Sequence, residues 1–116
     1  MADSLPVSPL APKGGFPDIP AIDGVRFAAI EAGVRYSGRV DVMLAELAPG
    51  TTIAGTFTKS KTRAAPVLDC QAKIGKVSEA GAALLVIAGN ANGFCCVDGV
   101  DAVQAMARGV ATALAI

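Results

Sequence analysis

The hydrophobic pattern of this chain switches between the two-residue period of a strand and the roughly 3.6-residue period of a helix. Val25-Arg26-Phe27-Ala28-Ala29-Ile30 is β-prone, Gly33 interrupts it, and Val34-Arg35-Tyr36-Ser37 alternates apolar with polar. Val40 to Leu47 is a further strand-like stretch, Pro49-Gly50 signals a tight turn, and Thr51 to Thr58 is rich in threonine, β-branched and aromatic residues. Connections this short predict hairpins, hence antiparallel neighbours. Pro66 then suits a first helical position, Val67, Cys70 and Ile74 recur at helical spacing, Lys73 falls in the last turn and Gly75 is a C′ stop, so a short helix is expected over about 66–74. Ala82 to Ala88 is an unbroken apolar run, the pattern of a strand covered on both faces. Gly89-Asn90-Ala91-Asn92-Gly93 predicts a tight turn after it. Asp98 is the expected N-cap of an amphipathic helix. Val100, Val103, Ala107, Val110 and Leu114 form its apolar stripe, while Asp101, Gln104 and Arg108 lie off it.

That last helix is still apolar and periodic at Ile116, with no stop signal, and an amphipathic helix needs a complete partner surface. The expectation is a partial α/β domain over 24–116, truncated at its C-terminus. Before it, Pro6, Pro9, Pro12, Pro17 and Pro20 exclude helix and inner strand, so 1–23 reads as a proline-rich extended arm lying on the domain. The fold class expected is α+β (layered α/β), with a mixed, largely antiparallel sheet and helices packed on one face.

Composition narrows the chemistry. Of 116 residues, 53% are hydrophobic and 17% charged, which argues against disorder. Ten basic residues balance ten acidic ones, and aromatics are 4%, so neither a nucleic acid nor a membrane surface is an expected partner. No stretch approaches the ~18 apolar residues of a membrane span, and no basic, apolar targeting leader is present. The absence of His removes Ser-His-Asp, Cys-His and His-containing metal sites. Cys70, Cys95 and Cys96 are too few for a four-thiolate zinc site and form no regular disulfide framework, so they read as reduced cysteines of a cytoplasmic protein. No metal or resident cofactor is expected.

Three clusters could carry chemistry. The Gly89–Gly93 turn, with Asn90 and Asn92, offers backbone N–H groups and amides to an anion or carboxylate; its alternative is a turn chosen for positive φ. The Thr-rich strand Thr51, Thr52, Thr56 and Thr58 with its basic exit Lys59, Lys61 and Arg63 offers a threonine nucleophile only if Lys59 serves as its base, or an anion site at the one local basic cluster; the alternative is a plain strand followed by a solvated loop. Cys95-Cys96 lacks a His to lower a thiol pKa and reads as inert. Asp98 and Asp101 suit an N-cap and a first-turn dipole partner better than paired acid–base work.

Several segments together resemble the bifunctional ornithine acetyltransferase (glutamate N-acetyltransferase) family. They are Ser8-Pro9-Leu10-Ala11-Pro12-Lys13, Gly24-Val25-Arg26-Phe27-Ala28, Ala32-Gly33-Val34-Arg35-Tyr36, Gly50 to Lys61 with Ala65-Pro66-Val67, and Gly89-Asn90-Ala91-Asn92 followed by Gly99. The likeness is collinear over about 6–112. Ile87-Ala88 stands where that family usually has Asn-Ser, and Cys95-Cys96 where Thr-Gly is usual. The resemblance implies a self-cleaving acyl-transfer enzyme of arginine biosynthesis, whose new N-terminal Thr is nucleophile and whose α-amino group is base. Such an enzyme moves an acetyl group from N-acetylornithine to glutamate, with acetyl-CoA a donor in some members. The motifs bearing the nucleophile, the pocket lysine and the oxyanion hole lie further along in the family. No catalytic residue is therefore assigned here, and Asn90 and Asn92 are carried only as residues of a turn near the substrate. The resemblance implies that this chain is an amino-terminal portion, inactive alone, partnered by the remainder of its own gene product and oligomeric when complete. The alternatives are a small non-catalytic anion- or metabolite-binding domain and an inactive, degenerate gene product.

Overall fold

Three β-prone stretches pair as an antiparallel sheet, but not through the short hairpins expected: residues 31–41 separate the first two strands and residues 48–81, which include a helix, the second and third. The computed structural model describes residues 7–93 and 96–116. In chain order they form β1 (Val25–Ile30), β2 (Val42–Leu47), α1 (Ala65–Lys73), β3 (Ala82–Ile87) and α2 (Cys96–Leu114). The sheet order is β1-β2-β3, with both pairs antiparallel. Phe27 stands opposite Ala45 and Ala45 opposite Leu84; one step on, Ala28, Leu44 and Leu85 form the next row. Because successive side chains alternate, this register sorts the sheet into two faces. One carries Arg26, Ala28, Leu44, Glu46, Ala83 and Leu85; the other carries Val25, Phe27, Met43, Ala45, Leu47, Leu84 and Val86.

The amphipathic stripe of α2 decides which face is covered. Val103 is buried, Ala107, Val110 and Leu114 are half-buried, and Asp101, Gln104 and Arg108 are exposed, as the periodicity predicts; Val100, expected on the same stripe, is exposed in the first turns of the helix, before the stripe meets a partner surface. α2 packs on α1 and touches β3. Leu114 reaches a cleft of about 310 Å³ that it lines with Arg26, Phe27, Ala28, Leu44 and Glu46, so the helix end lies over the first face. No described helix lies over the second, where Phe27 is 69% exposed, Leu84 50% and Val86 44%. The α+β class with helices on one side is therefore the observed one.

Several local expectations change. Ala82–Ile87 is a strand, but an edge strand with one open face, not one covered on both. Val34–Ser37 is not a strand, because the Ala32 and Val34 N–H groups are spent on a side chain (below). Thr51–Thr58 forms no strand either. Thr51 is held in a turn by its N–H and its hydroxyl, both donating to the Ala48 carbonyl, and Gly55 then passes against the Ile74 side chain. β-propensity expresses packing on a pleated neighbour, and these threonines have none.

The helices need smaller corrections. α1 opens at Ala65 with Pro66 in its first turn and is capped at Ile74, with Gly75 following. Val67 and Ile74 turn inward while Cys70 is exposed, so the thiol is not part of the stripe. α2 begins at Cys96, which puts Asp98 inside the first turn as a dipole partner and not at the N-cap. The helix does have a stop: Ala115 takes the left-handed conformation (φ 56°) and the Ile116 N–H donates to the Ala111 carbonyl at 3.1 Å, a Schellman-type closure. The proline-rich segment has neither helix nor strand, but Val7, Leu10, Phe16 and Ile19 are 75–92% exposed, so it does not pack on the sheet. Its first six residues lie outside the described ones.

Gly81, which starts β3, has φ +97° and stands where an added Cβ would lie 2.8 Å from the Leu47 carbonyl oxygen. Gly81→Ala should lower stability by about 1–3 kcal/mol in urea unfolding. Gly109→Ala, in open space on α2, should raise it by about 0.5–1 kcal/mol. Equal effects of the two substitutions would contradict this register.

Candidate functional site

The end of the sheet where β1 leaves and β2 enters is organised by one carboxylate. Asp41 precedes β2 and is 3% exposed. Its N–H donates to the Ile30 carbonyl at 3.1 Å, and its own carbonyl accepts from the Ala88 N–H at 2.8 Å, so its backbone extends the ladder to both neighbours. Its side chain points back into the connection: Oδ1 accepts from the Ala32 N–H and Oδ2 from the Val34 N–H, each at 2.7 Å. These two bonds, Ala32 first, hold its carboxyl below the ordinary value of 3.8, against burial, which acts the other way. Glu31, at the other base of the loop, accepts the Gly38 N–H.

With both acids of the loop committed to backbone, its cations have no carboxylate of their own. The Arg39 guanidinium lies over the Tyr36 ring, 4.1 Å from its centroid, and Arg35 approaches the same ring at 5.7 Å. The two ion pairs among the described residues, Arg26–Glu46 and Lys73–Asp69, involve neither. The Arg39 Nε–H is buried and has no hydrogen-bond partner. Such an orphan donor costs about 1–3 kcal/mol and is rare in native structures.

The chain after β3 closes on this cluster. Gly89 has φ +97°, and an added Cβ would stand 3.2 Å from the Arg35 Cβ and 3.5 Å from Tyr36 Cδ2, so only glycine permits the approach. Asn92 takes the left-handed conformation (φ 47°), which asparagine tolerates. The chain bends at Ala88 and Gly89 and runs on without regular structure to Gly93, in place of the tight turn expected over Gly89–Gly93; the bend abuts Arg35 and Tyr36, which the hydrophobic pattern had assigned to a strand. Tyr36 falls in the family-like segment Ala32 to Tyr36, whereas Arg39 and Asp41 carry no motif signal.

The other candidates stay apart. Lys59, Lys61 and Arg63 are exposed, with Arg63 Nη1 donating to Gln71 Oε1 at 2.8 Å; they behave as a solvated loop. Asp98 and Asp101 are exposed on α2. Cys95 lies outside the described residues. Among the described residues no three His, Cys, Asp or Glu side chains gather to hold a metal ion, and no helix is long and apolar enough to cross a membrane.

Comparison with known proteins places this arrangement. The model of the ArgJ family matches residues 26–116. The chain is similar to the arginine biosynthesis bifunctional protein ArgJ of Ruegeria pomeroyi, 65% identical over 81% of this chain. It is similar to the proteins of the same name from Nitrobacter winogradskyi, 53% identical over 78%, and Gluconobacter oxydans, 47% identical over 98%. It spans only 23%, 22% and 26% of the lengths of those relatives. No solved structure matches it.

The Asp41 geometry predicts an acid-sensitive contribution to stability. A carboxyl held below its ordinary value stabilises the fold fully above the unfolded value of about 3.9 and loses that contribution as pH falls through the folded one. Asp41→Asn puts an amide N–H₂ against one of the two N–H donors and should lower the urea midpoint near pH 7. The gap to the parent should shrink as the pH is taken down to about 2–3. A gap that does not change with pH would show that the carboxylate charge is not what holds the loop.

Proposed function

Because this chain belongs to the ArgJ family, we propose that it forms part of an acetyltransferase of arginine biosynthesis, one that moves an acetyl group from N-acetylornithine to glutamate. The observation that carries this reading is the 65% identity to the Ruegeria pomeroyi protein over most of the chain. Its physical support is the bare second face of the sheet. Phe27, Leu84 and Val86 form an exposed apolar row around Ala45 and Met43, the kind of surface that water-soluble folds cover.

In this reading the nucleophilic threonine, its α-amino base and the oxyanion-hole donors belong to the three-quarters of the relatives' length that this chain does not span. The chain contributes the first sheet and the Gly89–Gly93 segment, and the remainder of its own gene product covers the open face. The complete enzyme is oligomeric and cytoplasmic, needs no resident cofactor, and takes acetyl-CoA as a donor only if the acyl pocket admits it. Transfer proceeds by acetylation of the threonine hydroxyl with departure of ornithine, then attack by the glutamate amine, each step passing through an oxyanion intermediate.

The test is acetyl transfer from N-acetylornithine to glutamate. It is run on this chain alone and on this chain joined to the part of the Ruegeria pomeroyi relative that it does not span. The chain alone should be silent and the joined protein active. Turnover by the chain alone would refute the placement of the nucleophile, and a joined, folded protein without turnover would refute the acetyl-transfer reading.

A further inference from the structure

We propose that the Arg39 guanidinium, stacked on Tyr36 and flanked by Arg35 and the Gly89–Asn92 segment, is a binding site for a carboxylate-bearing small molecule. Three independent observations converge there. First, the Arg39 Nε–H is buried and has no acceptor among the described residues, a desolvated donor of the kind native structures rarely leave unpaired. Second, the guanidinium uses its face on the Tyr36 ring at 4.1 Å, which leaves its in-plane N–H groups for a planar acceptor. A carboxylate matches that fork with two parallel hydrogen bonds. Third, the loop's own acids are withdrawn: Glu31 accepts the Gly38 N–H and Asp41 those of Ala32 and Val34. Two cations thus share one ring, and among the described residues neither forms an ion pair.

The segment after β3 completes the site. Gly89 lets the chain run against Arg35 and Tyr36. Asn90 and Asn92 follow it, with Asn92 half-buried and held left-handed. Their side-chain amides are neutral donors suited to a second oxygen of the ligand. Arg35 supplies long-range attraction from its more exposed position. The choice of glutamate and N-acetylornithine as first probes rests on the acetyl-transfer reading; the carboxylate chemistry of the site does not.

Tyr36 is the only tyrosine and the chain has no tryptophan, so tyrosine emission reports this cluster alone. The full chain is titrated at constant ionic strength with glutamate, N-acetylornithine, inorganic phosphate and chloride. Saturable changes with the two carboxylates, absent with chloride, are expected. Arg39→Gln should weaken them about tenfold or more, Arg39→Lys should give an intermediate loss, and Lys61→Gln should leave them unchanged. Amide-exchange protection of Ala32 and Val34 should be the same in every variant, which separates lost binding from lost folding. No saturable change with either carboxylate, a response to phosphate alone, or an Arg39→Gln affinity equal to the parent's would each overturn the proposal. Carboxylate binding alongside a joined protein that transfers no acetyl group would uphold this site and sink only the acetyl-transfer reading.

Discussion

One carboxylate holds together the end of the sheet where β1 leaves and β2 enters. Asp41 works in two directions, its backbone in the ladder between Ile30 and Ala88 and its side chain on the Ala32 and Val34 amides. Without the side-chain bonds, two loop N–H groups at the sheet end would lack protein acceptors and the loop would lose its fixed course. With them, the eleven residues between β1 and β2 become a shaped platform that carries Arg39 stacked on Tyr36 and presents Arg35 and Tyr36 to the chain after β3. The same bonds favour the ionised carboxylate and fix its direction toward the loop amides, and neither Arg35 nor Arg39 forms an ion pair with it. Structural satisfaction of the backbone and the unsatisfied charge of the cations are two sides of one arrangement.

The sheet shows a second constraint. Three short strands with apolar residues on both faces cannot both be covered by one amphipathic helix pair. α2 closes over one face near Arg26, Leu44 and Leu114. The other face is left with Phe27, Leu84 and Val86 in contact with solvent. Among the described residues the buried hydrophobic core is only Ala45 and Val103. A core this thin fits a layer that is finished by further polypeptide, in keeping with relatives about four times as long.

Family membership and site chemistry stand on different ground. The match over residues 26–116 covers every strand and helix almost entirely, so it speaks for the fold as well as for descent. It does not assign a role to Arg39 or Asn92. What is observed of them is local: Arg39 stacks on Tyr36 with its Nε–H unpartnered, and Asn92 is left-handed.

The sequence alone determined the elements whose signals are local. The strands 25–30 and 42–47, the helix opened by Pro66 and closed before Gly75, and the Val103–Leu114 stripe each rest on propensity, capping or periodicity within a few residues. Tertiary structure decided what depended on partners. Thr51–Thr58 has the composition of a strand but no edge to pair with, and Ala82–Ile87 has the composition of a central strand but lies at the edge. Val34–Tyr36 alternates like a strand, yet its amides found a carboxylate seven residues on. A pairing energy belongs to two segments at once, so no reading of one segment contains it. The meeting of Arg39, Tyr36 and Gly89, some fifty residues apart in the chain, is set by the register of β2 between its two neighbours.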